Sequence, residues 1–152
     1  MRKLVGTSAV LALLGSAAMA TGLEIDVAGE ANGTVKIDLL EDVAPAHVAQ
    51  ITELAEEGAY DGVVFHRVIE GFMAQTGDVS NGNMEKDFNI RMAGTGGSEH
   101  PNLPAEFSKL PHSRGTIGAA RSQSPDSANS QYFINFKDND FLNGQYTVYR
   151  SE

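Results

Sequence analysis

Apolar residues in this chain fall in many short stretches divided by Gly, Asn, Asp, Ser and Pro, and only one stretch keeps helical spacing. That pattern predicts a mainly β fold, and short strands favour a closed or nearly closed barrel, because closure removes unpaired strand edges. Leu23-Glu24-Ile25-Asp26-Val27 and Val35-Lys36-Ile37-Asp38-Leu39 alternate apolar with charged residues around Ala31-Asn32-Gly33, the pattern of a hairpin with one wet face. Pro45 suits a first helical position, Val48, Ile51 and Leu54-Ala55 recur at helical spacing, and Gly58 suits the stop, so one helix is expected over Pro45–Glu57. Val63–Ile69 and Phe72–Thr76 flank a Glu70-Gly71 break and carry apolar residues on both parities, which predicts strands covered on both faces. Asp78–Ser113 reads as long loops, with Phe88–Met92 and Glu106-Phe107 as hints of short pairing. Gly115–Ala120, Gln131–Phe136 and Tyr146–Tyr149 complete the strand candidates.

The first 20 residues stand apart: basic Arg2 and Lys3, apolar Leu4–Leu14, then Ala18-Met19-Ala20 match the three zones of a secretory signal cut after Ala20. The apolar run is shorter than the roughly 20 residues of a membrane anchor, and Thr7 and Ser8 interrupt it. One domain, Thr21–Glu152, is expected to remain, in the periplasm or secreted. All 20 acidic residues but only 9 of the 11 basic ones follow Ala20, which leaves that domain at −11 with His neutral. Such a charge disfavours nucleic acid and anionic lipid as partners. With no cysteine, disulfides, thiolate zinc sites and cysteine nucleophiles are excluded, and stability must come from packing.

The run Phe65-His66-Arg67-Val68-Ile69-Glu70-Gly71-Phe72-Met73-Ala74-Gln75-Thr76-Gly77-Asp78 strongly resembles the signature of cyclophilin-type peptidyl-prolyl isomerases. The resemblance continues in Gly94-Thr95-Gly96-Gly97, Glu106-Phe107, Arg114–Arg121, Ser130–Ile134 and Phe141-Leu142-Asn143-Gly144, in family order. It implies an eight-stranded antiparallel barrel capped by helices, with substrate in an outer groove. By motif, it implies Arg67 as electrostatic catalyst, Phe72, Met73, Phe133 and Leu142 as the proline pocket, and Gln75 as an aid in orienting substrate backbone. Ala120, Arg121, Gln131, Phe141 and Tyr146 fall on the family's groove positions. The implied partner is an unfolded or exposed X-Pro segment, and a monomer is expected.

These residue types fit the chemistry. Twisting an X-Pro amide localises a lone pair on the prolyl nitrogen, so a permanently charged donor such as Arg67 stabilises the twisted state above either planar one. Gly118-Ala119-Ala120 leave room for a substrate strand near the backbone. No nucleophile, proton relay, metal or cofactor is needed. Competing readings remain: Gln75 and Gln131 as buried amides satisfying loop backbone, Phe72, Met73 and Phe133 as ordinary core, and His66 as structural. His47, His66, His100 and His112 lack ligand spacing, Gly94–Gly97 lacks a following Lys-Ser/Thr, and Asp138–Tyr149 departs from a calcium loop.

Phe141 stands where many family members have Trp, and Tyr146 where many have His, changes that resemble bacterial members and should weaken cyclosporin binding. Arg121 replaces a common Asn and adds a second positive charge near the groove, which would favour acidic flanks. The family continues beyond Tyr146–Tyr149 with more strand, a helix and a closing strand, whereas this sequence reads Arg150-Ser151-Glu152. The expectation is therefore a C-terminally incomplete domain with an unpaired edge. The functional alternative to an isomerase is a non-catalytic proline-peptide-binding module or holdase.

Overall fold

The computed structural model describes residues 21–150, so the signal segment Met1–Ala20 lies outside the described residues, as do Ser151 and Glu152. The first hairpin forms as the alternation predicts: β1 (Gly22–Val27) pairs antiparallel with β2 (Gly33–Asp38), Leu23 opposite Ile37 and Ile25 opposite Val35. The helix α1 spans Pro45–Glu56, and Gly58, at φ +74, lets the chain leave it. Its first turn has no local side-chain cap. Instead Glu106, sixty residues on, accepts the backbone N–H groups of Ala46 and His47 and pairs with His47 Nδ1, placing a carboxylate at the positive end of the helix. Five strands follow: β3 (Arg67–Ile69), β4 (Met73–Thr76), β5 (Ile117–Ala119), β6 (Tyr132–Asn135) and β7 (Val148–Arg150).

These five form one antiparallel sheet in the order β3-β4-β6-β5-β7, apart from the β1-β2 hairpin. One core joins them. Ile37 and Leu39 of the hairpin arm, Val48 and Ile51 of α1, and Ile117, Ala119, Tyr132 and Tyr149 of the large sheet are all buried in it. Among the described residues the fold is thus mainly β and antiparallel with one helix, and its sheets do not close into a barrel. The Leu40 N–H donates to the Tyr149 carbonyl at 2.8 Å, which ties the hairpin arm to β7 without making the two sheets one.

Four local expectations need correction. The strand foreseen over Val63–Ile69 is reduced to Arg67–Ile69, because Val63 bridges to Asn83 and the Val64 N–H donates to Gly82 in the following loop. Nor is β3 covered on both faces: it is an edge strand with all three residues exposed, Val68 at 60%. Phe88–Met92 forms no pairing, since Asn89 closes it as a turn by accepting from Arg91, Met92 and Ala93. Glu106-Phe107 likewise forms no strand, its backbone N–H at Glu106 going to Thr147 Oγ1 and its carboxylate to the helix.

The end of β4 is fixed by a close approach. Gly77 has φ +95, a conformation that L side chains rarely adopt, and an added Cβ would lie 2.5 Å from the Ser130 carbonyl oxygen and 2.9 Å from Gln131 Cα. Gly77→Ala should therefore destabilise the domain by about 2–4 kcal/mol, through left-handed strain and overpacking together. Urea unfolding measures this, and an unchanged midpoint would mean that the two segments do not touch.

Candidate active site

The pairing register sets one row of residues across the sheet. Arg67 faces Gln75, Gln75 faces Phe133, and Phe133 faces Gly118. Directly opposed residues share a face and neighbours along a strand alternate, so this row and Met73 lie on one side while Ala74, Ile134, Ile117 and Ala119 lie on the other. The second side belongs to the main core. On the first, Met73, Ala120, Phe133 and Leu142 form a separate buried cluster, with Phe72 and Tyr146 packed against it. Burial of Met73 and Phe133 is thus compatible with a site, because they stand outside the main core.

A hollow of about 170 Å³ opens over this cluster, and it brings together Arg67, Phe72, Met73, Gln75, Ala120, Arg121, Phe133, Leu142 and Tyr146. Gly118 admits the Phe133 ring: a Cβ there would lie 2.5 Å from Phe133 Cζ. His112 stacks on that ring at 5.8 Å and Tyr146 meets it edge-on at 5.7 Å. His112 is fully buried, and burial lowers its pKa against the opposing pull of the Tyr146 carbonyl, so a neutral ring backs the hollow. The other wall is pinned through the Phe72 carbonyl, which accepts from Phe136 N–H and from Asn139 Nδ2. Asn139 Nδ2 also donates to Asn135 Oδ1, and Asn135 in turn donates to Thr116. Phe141, in the 3₁₀ turn Asp140–Leu142, does not line the hollow; it is 69% exposed and leans on Phe72 at 5.7 Å.

Arg67 sits at the rim, exposed, and among the described residues its guanidinium has no protein acceptor and no carboxylate partner. Its donors are free. Arg121 is the reverse: Nε and Nη2 donate to the Gln145 carbonyl, Nη1 to those of Ser122 and Gln123, and the group lies 4.4 Å from the centre of the Tyr146 ring.

Gln131 belongs to a second, polar cavity of about 540 Å³ that shares Gln75, Ala120 and Arg121 with the hollow. Its Nε2 donates to the Gly94 and Gly96 carbonyls, and its Oε1 accepts from Gln75 Nε2. Gln131 therefore satisfies loop backbone and orients Gln75, whose own Oε1 has no protein donor among the described residues. The same glycine loop is held from beneath by Asp78, fully buried, whose carboxylate accepts from the backbone of Ser80, Asn81, Gly94 and Gly96 and from the Ser80 hydroxyl. Burial alone would raise its pKa, but these hydrogen bonds together outweigh it and hold the carboxyl below its ordinary value. His66 packs under Gly94, and burial lowers its pKa. Away from both cavities, Glu53, Glu57 and His100 bring three possible ligand atoms within 4.8 Å of one another at the end of α1, a grouping that sequence spacing did not reveal; His100 Nε2 is already 3.1 Å from Glu57.

The family model for "Cyclophilin type peptidyl-prolyl cis-trans isomerase/CLD" matches residues 23–150. The chain belongs to the cyclophilin family. A "Probable peptidyl-prolyl cis-trans isomerase" of Brucella suis is 66% identical over 117 residues, 77% of this chain and 60% of that protein. "Peptidyl-prolyl cis-trans isomerase B" of Escherichia coli is 38% identical over 112 residues, 74% of this chain and 62% of that protein. A crystal structure of a Cryptosporidium parvum cyclophilin in the presence of the dipeptide Ala-Pro is similar with TM-score 0.66 and 27% identity, covering 78% of this chain and 72% of that one. The chain spans about 60% of the length of the Brucella relative. Nine of the eleven residues that the cyclophilin motifs single out meet at the hollow, whereas Gln131 lines the polar cavity and Phe141 leans on Phe72. His112, Asn135, Asn139 and Asp78 support the hollow and the polar cavity beside it without having been singled out; of these, only Asp78 followed by Ser80 and Asn81 carries a local signal, that of an Asx turn.

A depressed Asp78 pKa makes the glycine loop pH-sensitive in one direction. Its contribution is complete above the unfolded Asp value of about 3.9 and is lost as pH falls through the lower folded value. Asp78→Asn, which turns an amide toward backbone donors, should cost about 2–4 kcal/mol at neutral pH and flatten the acid limb of the urea-midpoint curve below about pH 4. A variant with the parent acid limb would exclude Asp78 as its source.

Proposed function

We propose that the chain catalyses cis-trans isomerisation of X-Pro bonds in other polypeptides, with Arg67 as the electrostatic catalyst. The observation that carries this reading is a guanidinium without a protein partner at the rim of an apolar hollow walled by Phe72, Met73, Phe133 and Leu142. Rotation about the prolyl amide must cross a barrier of about 18–20 kcal/mol, while cis and trans differ little in energy, so the obstacle is kinetic. A proline ring held in the hollow leaves the preceding carbonyl to swing, and the Arg67 N–H groups meet the lone pair that appears on the prolyl nitrogen.

Shortening a step of tens of seconds to milliseconds requires about 5–6 kcal/mol. One charge-assisted hydrogen bond contributes about 1.5–3 kcal/mol. The rest falls to fixing the ring and excluding water, which strengthens the Arg67 contact. Neither step uses a metal or cofactor. The signal-like segment Met1–Ala20 supports a setting outside the cytoplasm, in a bacterial periplasm or secreted, where exposed X-Pro segments of folding proteins are the substrates.

Relaxation of a short Ala-Pro peptide from cis to trans, followed with and without the protein, tests the reading. Arg67→Ala should lower kcat/KM by about ten- to a hundred-fold with the circular dichroism spectrum unchanged. Equal relaxation with and without protein would defeat the enzyme reading, and saturable peptide binding without acceleration would select the binding module instead.

A further inference from the structure

The groove is built from cations in an acidic protein. The chain has a net charge of −9, yet among the described residues no Asp or Glu lines either the hollow or the polar cavity beside it. Among the described residues Arg121 is the one charged residue lining the polar cavity, and it stands where the two spaces meet. Every acceptor that fastens it is a neutral carbonyl, of Gln145, Ser122 or Gln123, and none of the described ion pairs includes it. The charge is therefore held in place and left uncancelled. Four bonds engage four of the five guanidinium N–H groups, so one hydrogen on Nη2 remains. The Asp78 carboxylate lies behind the Gly94–Gly96 wall and is committed to loop donors, so the lining itself presents one sign of charge, and a concave lining of one sign concentrates its field at the opening.

We infer that Arg121 makes this site select client segments that carry a carboxylate a few residues from the proline, the acidic side chain entering the polar cavity while the proline occupies the hollow. The inference rests on the isomerase reading for its pose. A merely structural Arg121, latching the 121–123 segment to Gln145, would lower the rate on all peptides alike. A selecting Arg121 changes the ratio between acidic and neutral peptides, which is independent of the fraction of folded protein.

The probe is a set of Ala-Pro peptides with Glu, or Gln as its neutral isostere, at each of three positions before and after the Ala-Pro pair. At one or two adjacent positions, the ratio of kcat/KM for Glu over Gln should reach about three- to ten-fold at low salt. It should fall toward one in Arg121→Gln, and also in the parent protein when ionic strength rises from about 0.01 M to about 1 M, where the Debye length shrinks from about 30 Å to about 3 Å. A ratio below about two at every position, one that persists in Arg121→Gln, or one insensitive to salt would each overturn the inference. If no peptide is accelerated, the isomerase reading fails by itself, and the same ratio read from dissociation constants of labelled peptides decides the Arg121 question. Absence of saturable binding for every peptide would sink both.

Discussion

The pairing of β4 with β6, Gln75 opposite Phe133 and Met73 opposite Asn135, is the contact on which both the core and the site depend. Alternation along a strand has period two, so one register assigns every residue to a face. In the observed register Phe133 and Met73 belong to the outer cluster, while Ile134 and Tyr132 turn inward to the core shared with the helix and hairpin. A slip of one residue would send Phe133 into the space filled by Ile134 and expose Tyr132, losing the hollow and part of the core in the same step. The adjoining β5 adds a second condition. Its Gly118 lies beneath the Phe133 ring, so the ring rests on backbone where any side chain would lift it away.

Around this sheet, position is set mainly by polar groups that each gather several partners. Asp78 gathers backbone donors from Ser80, Asn81, Gly94 and Gly96, Gln131 gathers the carbonyls of Gly94 and Gly96, and the Phe72 carbonyl gathers Phe136 and Asn139. Buried polar atoms with satisfied bonds specify geometry tightly, because any displacement strands a desolvated donor or acceptor. The long loops can thus form cavity walls without being strands. Their glycines supply the closeness: Gly94 touches His66, and Gly96 lies against Ser80 and Asp78.

The elements readable in the sequence were those with a period. Alternation in Leu23–Val27 and helical spacing from Val48 to Leu54 place β1, β2 and α1 nearly to the residue, since each shows one apolar face to a single core. The motifs, not periodicity, marked Arg67, Phe72, Met73, Phe133 and Leu142, because an apolar residue on an outer face looks like any core residue until the sheet is assembled. Glu106 as the cap of α1 had no local signal, being sixty residues from the N–H groups it accepts, and His112 behind Phe133 is likewise joined to the site only through space. Val63 and Val64 misled for a related reason: their apolar character is met by loop residues 82 and 83, not by a sheet neighbour.

The exposure of Arg67 fits the role proposed for it. A guanidinium already fastened to protein acceptors, as Arg121 is, has few donors to offer a reacting nitrogen, whereas one buried without partners would carry a heavy desolvation cost. Water solves both problems in the free protein, solvating Arg67 while leaving its N–H groups exchangeable. In the proposed reaction a proline segment settling over Phe133 and Met73 removes that water, so the contact gains strength when the amide begins to twist. On this view the apolar hollow and the hydrated cation are two halves of one device, and the client supplies the dry surroundings that the folded chain by itself does not.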